Sequence, residues 1–301
     1  MSVETYTAAS TVDEAIAAIA AGARPVAGGT DLVVGARQGK SPLPPTIVAI
    51  HRVAELRGIE EDDGVVRLGA LATHAEIVSH PAIRATLTAL ADASAIVGSH
   101  ATRAHGTIGG NVMNASPAME TGAPLICLAA TATLKSGSGT RWVAIEDLFT
   151  GPGTTSAHPD ELLVSIDVPK PAAGTGSAYV RLEYRRQMEI AVVGAAALVT
   201  VADGSITAAR VAITALAPTI RRVPDAEAAL VGADGGDQDI AAAASAAAAA
   251  ATPISDVRAS ERYRRAMAEV IASRAIGAAL ARAHGAMVPI PASPALHGGL
   301  S

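Results

Sequence analysis

The chain has 301 residues, half of them apolar and 17% charged, a balance that excludes a disordered protein and leaves room for two or three separate cores. Acidic side chains outnumber basic ones by 28 to 23, a net charge of −5, so no Lys/Arg stripe is available to a nucleic-acid partner. The one cysteine, Cys127, excludes intrachain disulfides, Cys-rich zinc sites and a complete cysteine-ligated iron–sulfur cluster, and its apolar setting marks it as a core thiol.

Taken in chain order, Ser10-Thr11-Val12-Asp13-Glu14 opens an alanine- and isoleucine-rich helix over 10–22, with Ser10 or Thr11 as N-cap and Gly22 as the stop. Pro25–Ala27 and Ile47–Ile50 read as short strands separated by a proline-rich loop at 41–45, and 58–60 with 64–70 as a hairpin. Thr73 followed by Glu76 is a capping box, and Pro81 starts a helix running to about Val97. A helix over 124–130 precedes strands at 131–135, 141–145 and 162–168. The Pro/Gly-rich run 169–176 places a domain boundary near 175. Beyond it, Asp203-Gly204 joins strands Ile190–Val201 and Ser205–Leu216 into a hairpin, followed by helices over 224–231, 237–251 and 260–283 and a tail from 286 that reads as extended or disordered. The alanine run 241–251 favours a water-soluble helix over membrane insertion, and an N-terminus without a basic region or a long apolar run gives the expectation of a cytoplasmic protein.

Two stretches carry candidate chemistry, Ala27-Gly28-Gly29-Thr30-Asp31-Leu32 and Gly106-Thr107-Ile108-Gly109-Gly110-Asn111. Paired glycines without Cβ atoms let successive amides converge on one anionic oxygen, and Thr30, Thr107 and Asn111 add side-chain donors, so the two stretches read as halves of a phosphate grip. The alternative is a pair of tight turns with local side-chain hydrogen bonds. No Lys follows either glycine pair and no G-x-G-x-x-G opens a helix, which argues against P-loop and dinucleotide-binding Rossmann folds.

These two stretches, together with Ala-Ser-Pro-Ala-Met-Glu at 115–120, resemble the FAD-binding motifs of the medium, flavin-carrying subunit of the molybdenum hydroxylases, the family of the xanthine dehydrogenase and carbon monoxide dehydrogenase types. The resemblance extends over about residues 3–285. It implies an α+β fold: a two-lobed FAD-binding domain of the vanillyl-alcohol-oxidase (PCMH) type over 1–175, with lobes about 1–52 and 53–175, then a small α+β domain of the CO dehydrogenase flavoprotein C-terminal type over 176–285, and a tail over 286–301.

Residue by residue, the resemblance implies cofactor contacts from Ala27, Gly28, Gly29, Thr30, Asp31 and Leu32 in the first motif and from Thr107, Gly109, Gly110 and Asn111 in the second. Glu120 stands where the family usually has Asp, as an acceptor for flavin-side hydroxyls. Leu163 matches a backbone or apolar contact to the ring system, and Arg181 a basic contact near the flavin. Val97 and Thr102 are further candidates, although the family's Gln-Ile-Arg-Asn reads Ala101-Thr102-Arg103-Ala104 here. Without the resemblance, Glu120 reads as a solvated helix-start charge, Arg181 as a surface strand residue and Leu163 as core. His100 and His105 flank the second motif and receive no role.

The resemblance further implies that hydroxylation takes place on a molybdopterin cofactor in a large partner subunit. Electrons then cross two 2Fe–2S clusters on a small partner subunit and leave through FAD on this chain, in a dimer of heterotrimers. Thr30-Asp31 and Ile190 fit the purine, aldehyde or N-heterocycle branch better than the carbon monoxide branch, whose first motif tends to read Ala-Gly-Gly-His-Ser. A self-sufficient flavin oxidoreductase and a scaffold without cofactor are the other readings.

Overall fold

Three sheets divide the chain in the computed structural model, which describes residues 3–39, 41–185 and 187–293. The first is parallel. Strands β1 (Thr5–Ala8), β2 (Arg24–Val26) and β3 (Thr46–Ala49) lie in the order β1-β3-β2, with helices α1 (Val12–Ala20) and α2 (Leu32–Arg37) between them in sequence. Thr11 caps α1 by accepting the Glu14 N–H, and the Glu14 carboxylate returns to the Ser10 N–H. Ala15, Ile16 and Ile19 on the inner face of α1 then pack with Val48, Ile50, Val53 and Leu56 in a core of their own.

The second sheet is antiparallel, in the order β4-β5-β10-β6-β7. It is built from β4 (Ile59–Asp62), β5 (Val65–Gly69), β6 (Thr131–Ser136), β7 (Gly139–Ala144) and, in chain order after a small ribbon of β8 (Phe149–Gly151) and β9 (Thr154–Thr155), the central β10 (Leu162–Pro169). Helices α3 (His74–Ser79), α4 (Pro81–Thr86), α5 (Thr88–Ala95), α6 (His100–His105), α7 (Ile108–Asn114) and α8 (Gly122–Cys127) come between β5 and β6, and the short α9 (Ile145–Leu148) follows β7. A bulge at Val164 shifts the phase of β10, so that Leu163, Ile166 and Val168 enter the core that this sheet shares with the helices, while Leu162 enters the core beneath the first sheet.

The third unit is an antiparallel sheet of β11 (Thr175–Leu182), β12 (Val193–Ala202), β13 (Ser205–Thr214) and β14 (Arg221–Arg222), followed by α10 (Pro224–Leu230), α11 (Asp237–Ala250) and α12 (Glu261–Ala283). Both faces of this sheet are covered. Tyr179, Ala196 and Ala212 belong to the core of the second sheet, whereas Ala178, Val180, Ala195, Ala197, Val199 and Val211 pack with Ala268, Ile271, Ala275 and Ile276 of α12. Burial on two sides explains why β12 reads as an almost unbroken apolar run.

The structure departs from the sequence expectations at four places. The helix expected from Pro81 to Val97 is two helices broken at Leu87, because the Thr88 hydroxyl donates to the Ser177 carbonyl and the Ala89 N–H to the Ser177 hydroxyl across to β11. The Pro/Gly run taken as a linker ends inside β11, and Gly176 serves close packing: a Cβ there would strike the backbone of α12 at Ala279 and Ala283. Residues 106–111 form the start of α7, with Thr107 as N-cap, in place of a loop. The tail is anchored as far as Ser293, with the Ala292 N–H donating to Asp92 Oδ1 and Arg282 donating to the carbonyls of Val288 and Pro289, while 294–301 lie outside the described residues.

Candidate functional site

The two glycine motifs meet. The first is the turn between β2 and α2, and the second runs from the end of α6 into α7. A Cβ on Gly28 would collide with the carbonyl oxygen of His105, and one on Gly106 would stand 3.6 Å from Thr30 Oγ1. Gly29 has φ 68°, the left-handed backbone that turns the chain into α2.

At this junction the amides of Gly28, Gly29, Thr30 and Asp31 donate to no acceptor among the described residues, and neither does the Thr30 hydroxyl. The second motif is different. Gly109 N–H donates to Ala70 O at 3.0 Å, and Gly110 N–H to Thr107 Oγ1 at 3.1 Å, so the amides expected to converge on an anion already have partners. Gly109 is glycine for fit, because a Cβ would stand 2.6 Å from Ala70 O. The groups left open here are the Thr107 amide and the Asn111 side-chain NH2; Asn111 Oδ1 is held by the Thr121 hydroxyl at 2.6 Å. Thr121 is a buried orienting residue that no sequence motif marks.

Glu120 and Arg181 form a buried ion pair, Nη1 to Oε1 at 2.6 Å, which overturns the readings of Glu120 as a solvated helix-start charge and of Arg181 as a surface residue. Burial pushes the Glu120 carboxyl up against the opposing pull of Arg181. The Arg181 side chain is 0% exposed, so a cofactor entering from open space meets no part of it. In this structure the Arg181 guanidinium is turned to Glu120, whose carboxylate is the more exposed partner of the pair. Leu163 is buried in the core, which leaves its backbone as the group able to face a ligand.

Val97 accepts Arg103 Nη1 through its carbonyl at 3.0 Å, and Arg103 Nη2 lies 3.1 Å from His100 Nδ1. Thr102 is tied to Ser99 and, through its hydroxyl, to the sulfur of Met188. Arg103 is buried and pairs with no carboxylate among the described residues; desolvation, and then the nearby Arg181, lower its pKa. His105 contributes its carbonyl to the Gly28 contact, while its side chain is exposed. His74, unmarked in the sequence, is buried beside Gly106 and accepts no charge: burial, then Arg103, depress its pKa to about 4.

The site thus offers a bent row of open amides, two hydroxyls, a carboxamide and one carboxylate edge. That donor set fits a diphosphate followed by a hydroxyl-bearing chain. Among the described residues no group of three His, Cys, Asp or Glu could hold a metal ion, and no helix is long and apolar enough to cross a membrane.

Comparison with known proteins identifies the family. Residues 1–171 match the model of the FAD binding domain in molybdopterin dehydrogenase, and residues 178–279 that of the CO dehydrogenase flavoprotein C-terminal domain. The chain is 32% identical over 239 residues to the carbon monoxide dehydrogenase medium chain of Hydrogenophaga pseudoflava, covering 79% of this chain and 83% of that one. It is 31% identical over 284 residues to a putative xanthine dehydrogenase FAD-binding subunit of Escherichia coli, covering 93% and 97%. The solved carbon monoxide dehydrogenase of H. pseudoflava that lacks the Mo-pyranopterin moiety superposes with a TM-score of 0.89 at 34% identity, over 92% of this chain and 97% of that chain. The chain belongs to the FAD-binding medium subunits of the molybdenum hydroxylases.

Proposed function

We propose that this subunit holds FAD between its two glycine motifs and passes electrons from iron–sulfur clusters on a small partner chain to an external acceptor. The observation that carries the reading is the run of open amides from Gly28 to Asp31, pressed against the second motif where Gly28 meets His105. An anionic diphosphate fills that run, with the hydroxyls of Thr30 and Thr107 and the Asn111 side chain around it. Ala27 and Leu32 flank the turn, Glu120 accepts from hydroxyls on the flavin side, and Val97, Thr102 and the Leu163 backbone border the ring. FAD, when bound, would take electrons one at a time from the clusters and release them singly or as a pair to the acceptor; the chain supplies grip, orientation and exclusion of water.

Residues 1–175 act as the FAD-binding unit in lobes about 1–52 and 53–175, and 176–285 as the C-terminal domain. The oxidation of substrate belongs to a large molybdopterin-binding subunit, in a dimer of heterotrimers located in the cytoplasm. Thr30-Asp31 and Ile190 favour an N-heterocycle, purine or aldehyde as substrate. Likeness to carbon monoxide dehydrogenase along most of the chain supports the second reading, a carbon monoxide dehydrogenase medium subunit. Purification of this chain from its native host, with mass spectrometry of co-purifying chains and assays for FAD, iron and molybdenum, tests both. FAD with a large molybdenum chain and a small iron–sulfur chain is the expected result, and a lone active flavoprotein overturns it.

A further inference from the structure

Strand β11 sends Ser177, Tyr179 and Arg181 toward the second sheet, and Glu183 continues the same face just past its end. The Arg181 guanidinium therefore crosses from the C-terminal unit into the candidate flavin site. Its Nε donates to Glu183 Oε2 at 2.5 Å and its Nη1 to Glu120 Oε1 at 2.6 Å, while Nη2 has no acceptor among the described residues. The Glu183 side chain is 4% exposed and the Glu120 side chain 9%. No residue other than Arg181 donates to the Glu120 carboxylate among the described residues.

One arginine thus joins two carboxylates, each through a single oxygen on a different edge of the guanidinium. A free guanidinium prefers to grip one carboxylate with two parallel bonds. By holding Nε, Glu183 fixes the plane of the guanidinium, and in that orientation Nη1 alone meets Glu120 although Nη2 is open, so one oxygen of Glu120 stays available. It also returns the buried group to one cation beside two anions, with the unpaired Arg103 close by.

Resting on FAD binding at this site, we propose that Glu183 is a positioning residue that acts through Arg181 to hold one Glu120 oxygen open to a cofactor hydroxyl and to set the charge beside the flavin. With Glu183 neutralised, the hold on Nε weakens and the guanidinium can turn to bring its open Nη2 to the second Glu120 oxygen. The acceptor closes, and the local potential becomes more positive, which favours the reduced, anionic flavin.

The test uses the intact complex, stripped of FAD and reconstituted, with affinity read from flavin fluorescence and the midpoint potential from dye-equilibrated reductive titration. E183Q is expected to weaken FAD binding about tenfold, the size of one charged hydrogen bond, and to raise the midpoint potential. In an E120Q background, the same substitution is expected to add nothing further to the loss of affinity. Wild-type affinity and potential in E183Q, or an equal loss of affinity in both backgrounds, overturns the proposal. E183D keeps the charge and shortens the reach, which guards against a failure of E183Q to fold: weaker FAD binding at unchanged potential supports the proposal, and unchanged binding overturns it. A wild-type complex that takes up no FAD fails the proposed function instead.

Discussion

Gly28 and His105 are joined through the backbone: the carbonyl oxygen of His105 occupies the space that any side chain at position 28 would need. The contact fixes the distance between the two glycine motifs, and it does so with atoms that no substitution at 105 removes. A Cβ at 28 would push the row of open amides away from α7. Crowding of this kind costs about 1–3 kcal/mol, so Gly28→Ala is expected to lower FAD affinity about five- to 150-fold. Flavin content per chain after purification checks this, with circular dichroism confirming that the sheets persist.

Asn111 depends on Thr121. Because the Thr121 hydroxyl holds Asn111 Oδ1 at 2.6 Å, the carboxamide can present only its NH2 to the site. Thr121→Val keeps the buried shape and removes that bond, worth about 0.5–1.5 kcal/mol. FAD affinity measured by titration is expected to fall about two- to tenfold, and the stability of the chain without FAD by about the same 0.5–1.5 kcal/mol.

Asp92 collects three elements. Its Oδ2 accepts the Tyr179 N–H at 3.0 Å and Arg282 Nη1 at 2.6 Å, and its Oδ1 accepts Arg282 Nη2 and the Ala292 N–H, each at 3.0 Å. Removal of one member of a buried pair leaves the other charge uncompensated. Arg282→Met is therefore expected to cost about 3–5 kcal/mol in urea unfolding, while Arg67→Met, which breaks the exposed pair with Asp167, costs less than about 1 kcal/mol.

His74 sets a pH dependence of known sign. Its folded pKa, about 4, lies below the ordinary histidine value of 6.5, so the unfolded chain binds a proton in this range and the folded chain does not. Above pH 6.5 the group has no effect on stability; as the pH falls toward 4 stability is lost, the loss reaching about 3 kcal/mol at the lower end. His74→Leu is expected to flatten that part of the profile. Urea midpoints at pH 7 and pH 4.5 for both proteins give the measurement, and equal slopes would contradict the assignment.

Much of the fold was legible where a local signal coincided with burial. The Thr11 cap, the Thr73–Glu76 capping box and the Asp203-Gly204 turn, with φ of 51° and 76°, all appear where the sequence places them. The break at Leu87 and the packing of Gly176 were not legible, because each is decided by a partner far away in sequence, Ser177 for one and α12 for the other. The candidate site divides in the same way. Gly28, Gly29 and Thr30 are marked by composition alone, and the amides of 28–31 are open. The donors of Gly109 and Gly110 prove to be engaged by Ala70 and Thr107, a pairing that no spacing rule reveals. Thr121, His74 and Glu183 carry no motif, since each acts on a neighbour.

Cys127 lies at the end of α8, where its thiol reaches the carbonyl of Ala196 in β12 at 3.5 Å, between the second sheet's helices and the C-terminal sheet. Burial drives its pKa up, and it is shielded from solvent. The chain therefore carries a built-in clock: with one sulfhydryl in the whole sequence, each reaction with an alkylating reagent records a single event, the parting of those two layers.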